Sequence, residues 1–262
     1  MATWQLQTRQ FLLPKSGHQL SECEDAIGMN AGACRFAIAD GATEAFDARR
    51  WAQLLAHDWV QVEPAALTPE GFRAWVAKQG QFLHESWNGQ SLSWYAEEKS
   101  RTGSFATFVG VQICLEVSAP SWSAIALGDA CLVHLRNKTI LKALPLSHYE
   151  SFNLTPLLLP SHASMQEAAL QSMVVGSGPI QDGDMLLLLS DAAAAWYLRL
   201  CEKDDQTRSS FDVLLRAAQD AKLAQLFESE RLSGRIKDDD IAVISIEVEA
   251  QDGWGAWMSD ML

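Results

Sequence analysis

Acidic residues recur at the ends of apolar runs along this 262-residue chain. "ECEDA" carries Glu24 and Asp25, "ADGA" carries Asp40 and Gly41, and "LGDA" carries Asp129. Further on, "LLSDA" carries Asp191 and "KDDDIAV" carries Asp238, Asp239 and Asp240. Each alone has an ordinary reading. Asp-Gly is a common turn pair, an Asp after a strand caps the next helix, and three consecutive Asp make a solvated loop. Brought together from several strand ends, the carboxylates would repel one another and rise in pKa unless a cation lay among them. The flanking segments hold few basic residues for that task. Oxygen-only ligands suit Mg²⁺ or Mn²⁺, whereas zinc favours His and Cys. The six histidines show no H-E-x-x-H spacing. Two ions bridged by a central carboxylate would offer a hydroxide for in-line attack on phosphorus.

The elements that must position these acids follow from the apolar pattern. "CRFAIAD" (34–40) reads as a buried strand stopped by Gly41. In 43–60, Trp51, Leu54, Leu55 and Trp59 fall on one helical stripe. A second helix opens at Thr68 as N-cap with Pro69 at its first position, and turns Phe72, Trp75, Val76 and Leu83 inward. From 104 to 117 the period changes to two, with Phe105, Val109, Val111, Ile113, Leu115 and Val117 on one face of a strand. "WSAIAL" and "CLVHLRN", joined by Gly128-Asp129, read as a hairpin. Residues 143–181 mix prolines and polar residues and read as an irregular surface excursion, apart from one short helical stretch. "DMLLLLSD" is a strand apolar on both faces, followed by the helix "AAAAWYLRLCE" and a longer one over 209–232. "DDDIAVISIEVEA" supplies a last strand, and 250–262 forms a tail in which Trp254 and Trp257 are expected to dock on the chain's own body.

This order lacks the regular βαβα alternation of a parallel doubly wound sheet. It predicts an α+β fold of mostly antiparallel sheets covered by helices, in one domain over 1–262. A hydrophobic fraction of 48% is enough for a large core, and the ten tryptophans are assigned to core and interface packing. The formal net charge of −13 argues against nucleic acid and anionic membrane as partners, since both need clustered Lys and Arg. Five scattered cysteines without a C-x-x-C pair suggest free thiols in a reducing compartment. The first residues do not read as a secretory signal, and no apolar run approaches the roughly 20 residues of a membrane helix. The expected location is cytoplasmic.

In their order, "EDA", "ADG", "GDA", "SDA" and "DDIAV", spread over residues 24–248, resemble the metal-dependent Ser/Thr protein phosphatases of the PPM type, also called type 2C. "GHQLSECEDA" and "SDAAAAW" resemble a bacterial subgroup of that family. The resemblance implies a four-layer α-β-β-α sandwich and hydrolysis of phosphoserine or phosphothreonine on proteins, opposing a protein kinase. It implies that Asp40 bridges two Mn²⁺ or Mg²⁺ ions, with the Gly41 carbonyl as a further ligand. Asp191 and Asp239 would complete one ion and Glu24 would serve the other. Asp25 would hold the attacking water, and Asp129 would serve a weaker third ion.

The chain also departs from the family. "DGATEAF" lacks the two glycines that often follow the Asp-Gly pair, and no His or Met follows Gly41. Leu20 stands where an Arg often holds the substrate phosphate; His18 is the expected substitute, with Arg49 and Arg50 as further candidates. Ala195 replaces another frequent Asp, one associated with the third ion. These departures motivate an alternative, a pseudophosphatase that binds phosphoproteins without catalysis. A small phosphoester or nucleotide as substrate is a third reading, although neither a P-loop nor a G-x-G-x-x-G cradle is present.

Overall fold

A computed structural model describes residues 3–62, 68–87, 94–115, 119–153 and 155–251. Its strands are β1 (Thr3–Leu13), β2 (Asp25–Asn30), β3 (Arg35–Gly41), β4 (Phe105–Cys114), β5 (Ser121–Leu127), β6 (Cys131–Arg136), β7 (Thr139–Leu144), β8 (Leu159–Pro160), β9 (Val174–Pro179), β10 (Met185–Leu189) and β11 (Ile241–Gln251). Its helices are α1 (Ala48–Trp59), α2 (Pro69–Trp87), α3 (Trp94–Thr102), α4 (Gln166–Gln171), α5 (Asp191–Glu202), α6 (Thr207–Arg216) and α7 (Asp220–Leu232). One sheet runs β1-β11-β10-β6-β7, and the other β2-β3-β4-β5-β9 with β8 added on β4. Every pairing is antiparallel.

Three apolar layers make this a four-layer α-β-β-α sandwich. Between the sheets lie Phe36, Ile38, Val109 and Val111 from one sheet and Leu132, Leu186, Leu188 and Ile244 from the other. The opposite face of the second sheet, with Ala37, Ala39 and Phe108, is covered by Trp51, Leu55 and Trp59 of α1 and by Phe72 and Trp75 of α2. On the other outer side, Val133, Leu187, Leu189 and Val243 meet Trp196 and Tyr197 of α5, Phe211 of α6 and Phe227 of α7. Alternate leucines of β10 thus enter two different cores, which is why its sequence is apolar throughout. Burying each large side chain contributes about 2–3 kcal/mol.

Two contacts hold the second sheet and its helices close together. A Cβ on Gly28 would stand 1.9 Å from the Ala56 carbonyl oxygen, so only glycine lets α1 lie this near β2. The Trp51 indole N–H donates to the Leu159 carbonyl at 2.9 Å, tying α1 to β8. Helix α2 begins as expected, with the Gly71 N–H donating to Thr68 Oγ1 at 3.0 Å.

Several expectations are corrected. β5 and β6 do not form a hairpin: β5 pairs with β4 and β9, whereas β6 pairs with β10 and β7. The Gly128-Asp129 turn therefore carries the chain from one sheet to the other. The hairpin is β6–β7, whose two-residue turn of Asn137 (φ 49°) and Lys138 (φ 65°) has the left-handed pair that such a turn requires. The helix expected over 209–232 is two helices, broken at Ala218 (φ 50°). Residues 143–181 are less irregular than expected, because β9 pairs with β5 along 174–179. A Cβ on Gly178 of this strand would stand 2.9 Å from the Trp122 indole nitrogen, so the glycine lets β9 lie against that ring. Cys23 and Cys131 are buried as expected of free thiols, but Cys114 is exposed. Of the expected tail, residues 250 and 251 belong to β11, and Trp254 and Trp257 lie outside the described residues. Among the described residues no helix is long and apolar enough to cross a membrane.

Candidate active site

The ends of β3 and β10, the inter-sheet turn and the approach to β11 open on one cavity of about 330 Å³. Asp40, Gly41, Asp129, Asp191 and Asp239 line it, with Thr43, Thr107 and Lys237. Phe152, Thr155, Pro156 and Leu158 form a wall, so the 143–181 segment contributes directly to the site. A larger cavity, about 730 Å³, lies beside α2 and includes Lys78, His84, Ser161 and His162. There the Ser161 hydroxyl already accepts from the Ser104 N–H and pairs with His84 Nε2, both at 3.0 Å, and Ser161 is buried. Ser161 and His84 are thus engaged with each other, whereas the acids converge on the first cavity.

Strand register places the acids. Asp25 of β2 stands opposite Asp40 of β3, which in turn stands opposite Thr107 of β4. Neighbours across such a ladder have Cα atoms about 5 Å apart. The Gly41 N–H donates to the Glu24 carbonyl at 3.2 Å, and the Thr43 hydroxyl to Glu24 Oε2 at 2.6 Å, which sets Glu24 at the rim. Lys15 Nζ lies 3.5 Å from the same carboxylate. On the other sheet, the Ser190 N–H donates to the Ala242 carbonyl at 3.0 Å and the Ala242 N–H returns to Ser190 Oγ at 2.9 Å. That pair of bonds fixes Asp191, at the start of α5, beside the segment containing Asp239. Asp191 Oδ1 also accepts the Ala192 N–H at 2.5 Å, so the helix-terminal role and the cavity-lining position coexist.

Burial and mutual repulsion raise the acids together. Burial pushes Asp40 well above the usual carboxylate range, reinforced by Asp25, Asp191, Asp239 and Asp129. Asp25 is raised likewise, first by burial and then by Asp191, Asp240 and Asp239. Neither oxygen of Asp25 has a hydrogen-bond partner among the described residues; Ser190 lies near enough to favour the charged form but outside hydrogen-bonding geometry. Asp129 is pushed up to about 7, by burial first and Asp191 second. Burial also raises Asp191, against the opposing pull of Lys237. The Thr107 hydroxyl is another buried group without a hydrogen-bond partner among the described residues.

Sequence reasoning missed three features. Lys237 Nζ lies 3.2 Å from Asp191 Oδ2 and 2.5 Å from Asp239 Oδ2, inside the acid group. Burial pulls its pKa down, but the hydrogen bond to Asp239 and the fields of Asp191 and Asp239 more than offset this. Its signal was the first letter of "KDDDIAV". Asp240 is a buried latch: it accepts the Lys15 N–H at 2.8 Å and the Glu24 N–H at 2.7 Å, holding the Glu24 segment against the start of β11. Thr107 had no sequence signal beyond its place in a strand. His18 is exposed and lines a separate cavity with Arg231 and Asp238. Neither Arg49 nor Arg50 lines the acid cavity, whose only basic side chain among the described residues is Lys237.

Solved structures share this architecture from end to end. The catalytic domain of the serine/threonine protein phosphatase PstP, in complex with two manganese ions, matches at a TM-score of 0.62 and 16% identity over 94% of this chain and 100% of that one. The PstP/Ppp phosphatase of Mycobacterium tuberculosis matches at 0.61 and 16%, over 95% and 100%. The chain has the PPM-type phosphatase fold. PppA, a regulatory component of T6SS in Pseudomonas aeruginosa, matches at 0.57 and 17% over 96% of this chain and 100% of that one. No protein-family model matches the chain. No curated protein matches it in sequence. A PPM-type fold at these identities carries the architecture, and the chemistry has to be argued from the site.

Within that fold the donor set suits a hard divalent cation. Several carboxylates face one ammonium and, among the described residues, two buried Asp25 oxygens lack partners and no His or Cys lines the cavity. The arrangement itself is not that of a coordination sphere: among the described residues no three His, Cys, Asp or Glu side chains are grouped to hold a metal ion. For Asp191 and Asp239 the cause is visible, since both carboxylates are turned to Lys237.

Proposed function

We propose that the acid cavity is the catalytic centre of a metal-dependent phosphatase acting on phosphoserine and phosphothreonine in proteins, opposing a protein kinase. The observation that carries this reading is the convergence of Asp40, Asp129, Asp191 and Asp239 from four separate places in the chain on one cavity of a PPM-type fold. Asp40, the Gly41 carbonyl, Asp191, Asp239 and Glu24 would hold two Mn²⁺ or Mg²⁺ ions, with Asp129 beside them. Bound there, the ions would lower the pKa of water and offset phosphate charge. Asp25, opposite Asp40, orients the attacking water. The wall of Phe152, Thr155, Pro156 and Leu158 limits solvent access and shapes the approach of the phosphorylated side chain.

A second reading is favoured by Lys237 and by the lack of a three-ligand grouping: a module that binds phosphoproteins without turning them over. Release of phosphate from p-nitrophenyl phosphate and from a phosphothreonine peptide separates the two. The catalytic reading expects Mn²⁺-dependent turnover that falls at least about a hundredfold in Asp40→Asn and Asp239→Asn. Turnover in chelator, unchanged in both variants, would reject it. Peptide retention without turnover at any Mn²⁺ concentration would select the binding module.

A further inference from the structure

We propose that Lys237 is a tethered cation that competes with a divalent ion for Asp191 and Asp239, so that one half of the site takes its ion weakly and the other half does not. The inference rests on the metal-dependent reading of the site and adds its regulation. Lys237 Nζ touches both carboxylates, at 3.2 and 2.5 Å, and an ammonium at that point leaves no room for a second cation on the same oxygens. Its stem is anchored three residues before Asp240, whose carboxylate is fixed by the Lys15 and Glu24 amides, so the ammonium's local concentration is set by a short, pinned segment. Asp40 stands on the other sheet, and among the described residues the ion pairs of Lys237 are those to Asp191 and Asp239. The competition therefore falls on one side of the cavity. Entry of an ion at Asp191 and Asp239 has to break both contacts and release Lys237 to solvent. The side chain is 66% exposed, so that release is short and needs no rearrangement of the core.

The same exposure makes Lys237→Met safe for folding. The decisive experiment titrates Mn²⁺ calorimetrically into chelator-treated wild type, Lys237→Met and Lys237→Arg. The expected result is unequal sites in the wild type, with the weaker one tightened about tenfold in Lys237→Met, as for ~1.4 kcal/mol of ion pairing no longer lost on metal entry. Lys237→Arg, which keeps the charge, should stay within about threefold of wild type. Thermal unfolding supplies a readout independent of turnover: Lys237→Met should melt below wild type without metal and gain more on adding Mn²⁺. Mn²⁺ binding that is equal or weaker in Lys237→Met overturns the competition and leaves the phosphatase reading standing. Failure of both wild type and Lys237→Met to bind Mn²⁺ overturns both.

Discussion

Removing one negative charge from the cavity should stabilise the metal-free protein, and only at neutral to alkaline pH. Asp129 is 7% exposed and its carboxyl is pushed from 3.8 to about 7, chiefly by burial and then by Asp191. The folded protein therefore holds this proton more tightly than the unfolded chain. A group whose folded pKa is raised contributes its full stability below the unfolded value, and the contribution is lost as pH rises through the folded value. For Asp129 that window runs from 3.8 to about 7. The full span corresponds to ~4 kcal/mol at ~1.4 kcal/mol per tenfold change in proton activity; water in the open cavity reduces this to about 2 kcal/mol. Asp129→Asn keeps the shape and discards the charge. Chelator-treated Asp129→Asn should exceed wild type by about 2 kcal/mol at pH 8, or about 5 °C in Tm, and match it near pH 4. Urea unfolding of both proteins at the two pH values measures the difference. A variant less stable than wild type at pH 8, or an equal difference at both pH values, would refute the electrostatic account of the cavity.

Two structural predictions concern residues outside the cavity. Gly28→Ala drives a Cβ into the Ala56 carbonyl oxygen, 1.9 Å away, and should cost about 2–3 kcal/mol in urea unfolding by lifting α1 from β2; a change below about 0.5 kcal/mol would show that the helix can shift freely. Asp184 accepts from His134 Nε2 at 3.0 Å, from two Arg136 nitrogens at 2.7 and 2.8 Å and from the Gln181 N–H at 2.8 Å. Asp184→Ala should cost about 3–5 kcal/mol, because it leaves the buried His134 Nε2 and the Arg136 guanidinium without their shared partner. Burial alone would raise Asp184, but Arg136 and the Gln181 amide hold it below the usual range. Its contribution is thus present above the ordinary value of 3.8 and lost as pH falls below it, so wild type and variant should converge in acid.

Much of this architecture was legible from short-range pattern. The leucines of β10 announced a strand covered on both faces, Thr68 and Pro69 announced α2, and the strand-terminal acids announced the cavity. What escaped depended on partners distant in sequence. A Gly-Asp pair reverses the chain equally well within a sheet or between two, so Gly128-Asp129 could not reveal that β5 and β6 part company. The α6–α7 break falls on Ala218, a residue with no left-handed preference of its own. β1 is largely half-exposed at the sheet edge, and its alternation is too polar to stand out. Lys237 was masked by the three acids after it, which read as a hydrated run until Asp191 supplied the other side of its ion pair. His18 shares strand-like spacing with Leu20, but residues 20–22 form a single turn of 3-10 helix and the histidine lines a separate cavity beside Arg231 and Asp238.

The pairing of β1 with β11 joins Leu13 to Ile241 and Thr3 to Gln251, the largest sequence separations in the sandwich. Closing a loop of that length costs about 5 kcal/mol in chain entropy, to be recovered only once the ladder zips. Asp239 and Asp240 lie immediately before this ladder, so the entropy of closing it is also the cost of bringing them to the cavity. A chain still emerging from the ribosome would carry Asp40 and Asp129 without Asp239, and the acid cavity would stay incomplete until β11 arrived.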